Sequence, residues 1–251
     1  MLAPNEIAKK SVEVGKTKAS LSIGKMLLLS IFAGMFIALA GVGATFGNIY
    51  GGKIVSALIF PVGLIMVVIA GSELFTGNNL MVTSWIKGEI SLWQLLKNWL
   101  LVFLGNFIGA IFVTFLAVYS GIFDNISDAV ISTATTKANL SFLEALIRGI
   151  FCNFLVCIAV WMAFGAKTIS GKILAIFGPI MLFVLCGFEH SIANMFYGPA
   201  GIFVALKNGI ILENLNFELF LTNNLLPVTI GNIIGGAGIV GIGYYLAYLK
   251  K

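Results

Sequence analysis

Residues 54–78 read IVSALIFPVGLIMVVIAGSELFTGN, and residues 173–194 read ILAIFGPIMLFVLCGFEHSIAN. Each is an apolar run with a proline, Pro61 or Pro179, that meets a polar interruption and resumes as a short apolar tail. Laid over one another, the interruptions at 71–78 and 187–194 share the pattern G-x-E-x-x-x-x-N. In lipid an unsatisfied backbone N–H or C=O costs several kcal/mol, so a helix breaks at membrane depth only where protein or a water-filled cavity surrounds the break. Two matching interruptions therefore predict two broken helices facing one passage.

The rest of the chain fits a bilayer. Of its 251 residues 59% are hydrophobic and 10% charged, against about 25% charged in a soluble domain, and the mean hydropathy is +1.05. That excludes a soluble globular enzyme. The net charge of +5 is then read as topology and not as a nucleic-acid surface. At roughly 20 residues per span the chain has room for six. They are 26–45, a second from Ile54, 99–119, 146–164, a fifth from Ile173, and 225–249. GNFIG at 105–109, after the first break, echoes GNIIG at 231–235 after the second. The chain thus reads as a duplication, repeat one at 26–120 and repeat two at 140–251, preceded by an amphipathic cytoplasmic segment at 1–25 without a signal-peptide core. Three spans is an odd number, so the two copies run inverted through the membrane: an all-α protein with a 3+3 inverted repeat.

Orientation follows from the bases. With both termini cytoplasmic, eleven lie inside: the five lysines from Lys9 to Lys25, then Lys87, Lys97, Lys167, Lys172, Lys250 and Lys251. Lys53, Lys137, Arg148 and Lys207 lie outside. This is the positive-inside bias of a multi-pass protein of the cytoplasmic membrane.

The interruptions hold the polar chemistry of the spans. A half-helix that starts inside the membrane offers free N–H groups and a positive dipole end, which points to a small anion or its acid as cargo. His190 is the only histidine, and an ionisable group in a membrane break is read as functional: it offers a hydrogen bond or a proton to a passing anion. Thr76, taken as its counterpart in the other break, offers a hydroxyl or a helix cap. Glu73 and Glu189 would repel an anion, so their expected role is structural, accepting backbone N–H groups or pairing with a base. Asn78, Asn106, Asn194 and Asn232 recur between repeats and are expected to tie loops to helices. Lys137 is either a solvated lysine or a cation at an outer vestibule. Phe60, Leu64, Leu74, Phe75 and Phe183 lie in or beside the breaks, as packing or as dry rings that stop ions. Cys152, Cys157 and Cys186 lack metal or redox spacing and read as small apolar residues.

ELFTGN at 73–78, CNFLVCIAVWMAFGAK at 152–167, GFEHSIANMF at 187–196 and NLLPVTIGNIIGG at 224–236 closely resemble the signature segments of the formate/nitrite transporter family, in the same order. The resemblance implies an aquaporin-like protomer in a homopentamer, one pore per subunit, passing small monovalent weak-acid anions: formate, nitrite, hydrosulfide, in some members lactate or acetate. It implies that Leu74, Phe75 and Thr76 form a movable pore-lining loop, and that Leu64 and Phe183 form the inner constriction. Phe60, Asn153 and Val156 form the outer one, and His190 is the central histidine facing Thr76. Lys137, Glu189 and Asn232 are its polar partners. On this reading the anion crosses as such or after taking a proton, with protonation at His190 as one route. No cofactor, metal or nucleic acid is implied.

Other classes fit less well. An aquaporin-type pore for neutral solutes would carry paired Asn-Pro-Ala triplets, where this chain has GSELFTGN and GFEHSIAN. A membrane enzyme would need a nucleophile or metal set that one histidine, two carboxylates and scattered cysteines do not make. A purely structural subunit would leave the matching interruptions unexplained.

Overall fold

The computed structural model describes residues 1–250, so Lys251, counted among the cytoplasmic bases, lies outside the described residues. Those residues form helices joined by turns and short non-helical segments, without strands. In order they form α1 (Pro4–Ala19), α2 (Ile23–Ile59), α3 (Pro61–Ala70), α4 (Phe75–Asn78), α5 (Val82–Ile86), α6 (Leu92–Tyr119), α7 (Ser127–Ala138), α8 (Phe142–Gly165), α9 (Ile169–Cys186), α10 (Ser191–Lys207), α11 (Phe217–Leu219), α12 (Leu226–Ile233) and α13 (Gly243–Tyr248). Two π-helical stretches, Phe220–Leu225 and Ile234–Ile242, join α11, α12 and α13 into one rod. Five apolar stretches among the described residues are long enough to cross a bilayer: Ile23–Ala70, Leu92–Tyr119, Phe142–Gly165, Ile169–Cys186 and Phe217–Tyr248. This is a multi-pass membrane protein.

The first stretch is folded back on itself. Gly52 has φ 77° and ψ −179°, a conformation open essentially to glycine alone. Across this corner Gly47 faces Ser56, Gly43 faces Ile59 and Gly63 faces Ala40, so the two legs run antiparallel in contact. The second leg continues through Phe60 into α3, where Pro61 takes the first position of the helix with its fixed φ already helical.

Several helices begin earlier than the apolar runs suggest. Ser91 caps α6 and exchanges bonds with Gln94, and Ser141 does the same for α8 with Glu144. These capping boxes satisfy the first amides, so 92–98 and 142–145, which carry Gln94, Lys97, Asn98 and Glu144, are helical although they lie outside the expected spans. The polar stretch that carries Lys137 is not an open loop: its helix α7 packs on α10. Gly201 of α10 sits so close to Ala134 of α7 that a Cβ there would collide with it.

Helices approach at small residues, as lipid-embedded packing requires. The backbone of α2 lies against Gly109 of α6 at the Ile31 carbonyl, and that of α8 lies against Gly235 at the Ile150 carbonyl. In both places a Cβ would fall inside the oxygen.

Candidate functional site: two helix interruptions that meet

After α3 the chain turns at Gly71 (φ 80°), runs extended to Leu74 and becomes helical again at Phe75. After α9 it turns at Gly187 (φ 74°) and becomes helical again at Ser191. The two segments are held in the same way. Glu73 N–H donates to the Leu29 carbonyl (3.2 Å), and Glu189 N–H to the Arg148 carbonyl (3.3 Å). Asn106 donates to the carbonyls of Ser30 (2.7 Å) and Glu73 (2.9 Å) and accepts Phe75 N–H (2.9 Å). Asn232 donates to the carbonyls of Gly149 (2.8 Å) and Glu189 (3.0 Å) and accepts Ser191 N–H (2.9 Å).

The carboxylates follow the same duplicate plan. Lys18 Nζ lies 2.7 Å from Glu73 Oε1, and Asn78 donates to Glu73 Oε2 (2.7 Å) and to Asn98 (2.9 Å). Lys137 Nζ lies 2.8 and 2.9 Å from the two oxygens of Glu189, and Asn194 donates to Glu189 Oε2 (2.6 Å) and to Asn224 (2.7 Å). Each carboxylate therefore takes a lysine and an asparagine, the base-pairing alternative of its two expected structural roles. Lys18 sits on α1 and Lys137 on α7, both polar helices ahead of the apolar stretches. Lys18, Asn98 and Asn224 are residues the sequence reading did not single out.

His190 and Thr76 meet across the interruptions, Nε2 to Oγ1 at 2.8 Å. His190 Nδ1 accepts Ala193 N–H at 3.0 Å, so the ring caps α10. With Nδ1 an acceptor, the neutral ring carries its proton on Nε2 and donates it to Thr76 Oγ1, whose own hydrogen is then free to point elsewhere. The repeat itself aligns Leu74, not Thr76, with His190, and Ile192 with Thr76. Thr76 is the histidine's partner by contact and not by repeat position.

Three of the amides expected to be free for an anion are taken by side chains. Asn106 holds Phe75 N–H, Asn232 holds Ser191 N–H and His190 holds Ala193 N–H.

Two cavities approach this point from opposite ends. One, of about 430 Å³, is lined by Lys53, Lys137, Glu189, His190, Phe60 and Phe183 among others. The other, of about 410 Å³, is lined by Lys10, Lys18, Lys172, Glu73, Leu64 and Leu74 among others. Between them Ile37, Phe60, Leu64, Leu74, Val156, Ile180, Phe183 and His190 enclose a neck of about 10 Å³, no more than one water needs. Phe60 and Phe183 meet edge to face at 5.6 Å. Phe183 lines the α7-side cavity together with Phe60 and shares the neck itself with Leu64. Its position on α9 places it there: one turn short of Gly187, it faces His190 (5.9 Å between rings).

Two other residues assigned to the pore turn elsewhere. Phe75 packs edge to face on Trp99 and Phe103. Asn153 is fully buried and braces the interruptions, its amide donating to the Asn232 carbonyl (2.7 Å) and Asn79 Oδ1 (2.8 Å), with the Thr76 carbonyl at 3.3 Å. The Cys157 thiol donates to that same carbonyl (3.3 Å). No group of His, Cys, Asp and Glu among the described residues is arranged to hold a metal.

Known proteins resemble this chain in sequence and in fold. The sequence pattern described as formate/nitrite transporter matches residues 5–246. The chain is 40% identical to a probable formate transporter of Methanothermobacter thermautotrophicus, over 99% of this chain and 98% of that one. It is 39% identical to the formate channel FocA of Escherichia coli K12, over 100% and 96%. Among solved structures, a pentameric formate channel with formate bound superposes with a TM-score of 0.79 at 36% identity, covering 91% of this chain and 98% of that one. An FNT family ion channel does so with a TM-score of 0.85 at 30% identity, covering 97% and 98%. The apolar helices, the duplicated interruptions and these matches over nearly the whole length lead to one conclusion: the chain belongs to the formate/nitrite transporter family.

Proposed function

We propose that the chain is a channel for small monovalent weak-acid anions (formate, nitrite or hydrosulfide) in the cytoplasmic membrane, working as a homopentamer with one pore per subunit. The observation that carries this reading is the dry neck between two lysine-bearing cavities, lined by His190, whose ring is bonded to Thr76. The fold at Gly52 makes six passages of the five apolar stretches, an inverted 3+3 repeat with both interrupted helices at its centre. The matched ion pairs on α1 and α7 extend each repeat by one helix, so 1–25 belongs to repeat one and α7 to repeat two. Both termini face the cytoplasm, α1 and the Lys18 cavity lie inside, and the Lys137 cavity lies outside.

The lysines raise the local anion concentration at each mouth. A bare charge in the neck costs several kcal/mol even after relaxation, and taking a proton removes that cost. The Thr76 hydroxyl, free to donate because it accepts from His190, polarises the cargo at the narrowest point. His190 acts here as a neutral donor: giving up its Nε2 proton would leave an imidazolate, and charging the ring first would break its bond to Ala193 N–H. The cargo's proton therefore comes from water in the cavity.

Flux of formate, nitrite and hydrosulfide into proteoliposomes, with glycerol and water as neutral controls, tests the reading. Fast glycerol flux without anion flux would overturn it in favour of an aquaporin-like pore. His190→Asn should lower anion flux and keep its pH dependence. Loss of that dependence would make His190 the proton supplier.

A further inference from the structure

The outer cavity holds a cation that the ion pairs leave unused. Lys53 directly follows the Gly52 corner, and Lys53, Ser56 and Phe60, at i, i+3 and i+7 of one helical face, all line the cavity that ends at His190. A Cβ built on Gly187 would lie 3.6 Å from Lys53 Nζ. The ammonium thus sits over the C-terminal end of α9, where terminal carbonyls favour positive charge. Glu189 is the one carboxylate lining this cavity, and both its oxygens are bound by Lys137. Among the described residues no carboxylate pairs with Lys53. Lys137 is compensated, and the net positive charge of the outer cavity belongs to Lys53.

We propose that Lys53 is the external capture residue of the pore: its uncompensated ammonium takes a monovalent anion from solution and passes it to the Ser56 hydroxyl, one turn deeper, above the Phe60–Phe183 ring pair. This rests on the anion-pore reading above and adds a division of labour. Lys137 holds the second interruption in shape through Glu189, while Lys53 governs arrival from outside.

The test is formate uptake into cells or liposomes carrying Lys53→Cys, before and after treatment from outside with a cationic or an anionic methanethiosulfonate of similar size. At low ionic strength the unmodified variant should take up formate about threefold more slowly than wild type, since fields of this kind raise arrival rates by about tenfold or more. The cationic adduct should restore the rate and the anionic adduct lower it further. The differences should shrink near 1 M salt, where the screening length is about 3 Å. Wild type treated with the same reagents controls for Cys186, the exposed native thiol. Equal uptake with both adducts, beside an active wild type, would overturn the role of Lys53 alone. A wild type without flux for any of the three anions would overturn the pore reading itself.

Discussion

Thr76 Oγ1 and His190 Nε2 lie 2.8 Å apart although they are 114 positions apart in the chain, and this bond joins the two helix interruptions through the histidine that lines the neck. Its polarity is fixed from the far side of the ring, because Ala193 N–H occupies Nδ1.

Thr76→Val keeps the shape and removes the hydroxyl, leaving the His190 donor buried without a partner. A lost hydrogen bond of this kind is worth about 1–1.5 kcal/mol, or roughly tenfold in rate. Anion flux should fall by about that factor in Thr76→Val and stay near wild type in Thr76→Ser. Stopped-flow liposome assays at matched protein density read this directly, and equal flux in both variants would remove Thr76 from the permeation step.

Lys18→Met leaves Glu73, 5% exposed, without its cation. Removing one partner of a buried pair typically destabilises by about 3–5 kcal/mol, while replacing both is far milder. Thermal unfolding of the solubilised protein should therefore show a large loss for Lys18→Met and recovery in Lys18→Met with Glu73→Gln. The same pattern is expected for Lys137→Met and Lys137→Met with Glu189→Gln, since the second site repeats the first. A single lysine variant as stable as wild type would show that the pair contributes nothing.

The neck excludes by size as well as by dryness. Phe60→Ala or Phe183→Ala breaks the ring pair and opens a cavity in its place, so water permeability and passage of larger monocarboxylates should rise. Selectivity for the smallest anion should fall in step. Unchanged water flux in both variants would locate the barrier elsewhere.

The N-terminal helix carries a pH-sensitive contact outside the membrane. Lys16 lies 2.7 Å from Glu89, and its hydrogen bond and charge hold the Glu89 carboxyl below the ordinary carboxylate range. A carboxylate with a depressed folded pKa adds stability above its unfolded pKa, and that contribution is lost as pH falls through the lower folded value. Hydrogen exchange of α1 should thus accelerate below the usual range for glutamate and stay pH-independent there in Glu89→Gln. The effect should be small, because the pair is solvated.

The sequence carries the class of this fold and the family plainly: continuous apolar runs, scarce charge and long ordered motifs survive without coordinates. It does not carry the partner of Glu73. Lys18 sits on a helix that reads as an amphipathic tail, and no periodicity links position 18 to position 73. Nor does it carry α7, because a polar amphipathic helix outside the apolar runs looks like a loop until a neighbour such as Gly201 is seen against it. Asn153 and Phe75 read as pore residues because they sit in or beside pore motifs, yet one braces backbone and the other packs on Trp99. Side-chain direction decides such cases, and a one-dimensional pattern does not contain it.

The glycine crossings set what can move. Where Gly109 meets the Ile31 carbonyl and Gly235 meets that of Ile150, two rods are pinned backbone to backbone with no side chain to act as a bearing. Sliding one helix past the other would drive carbonyl oxygens into Cα atoms. What such a scaffold leaves adjustable is small in scale: the rings of Phe60 and Phe183 and the non-helical segments at 71–74 and 187–190.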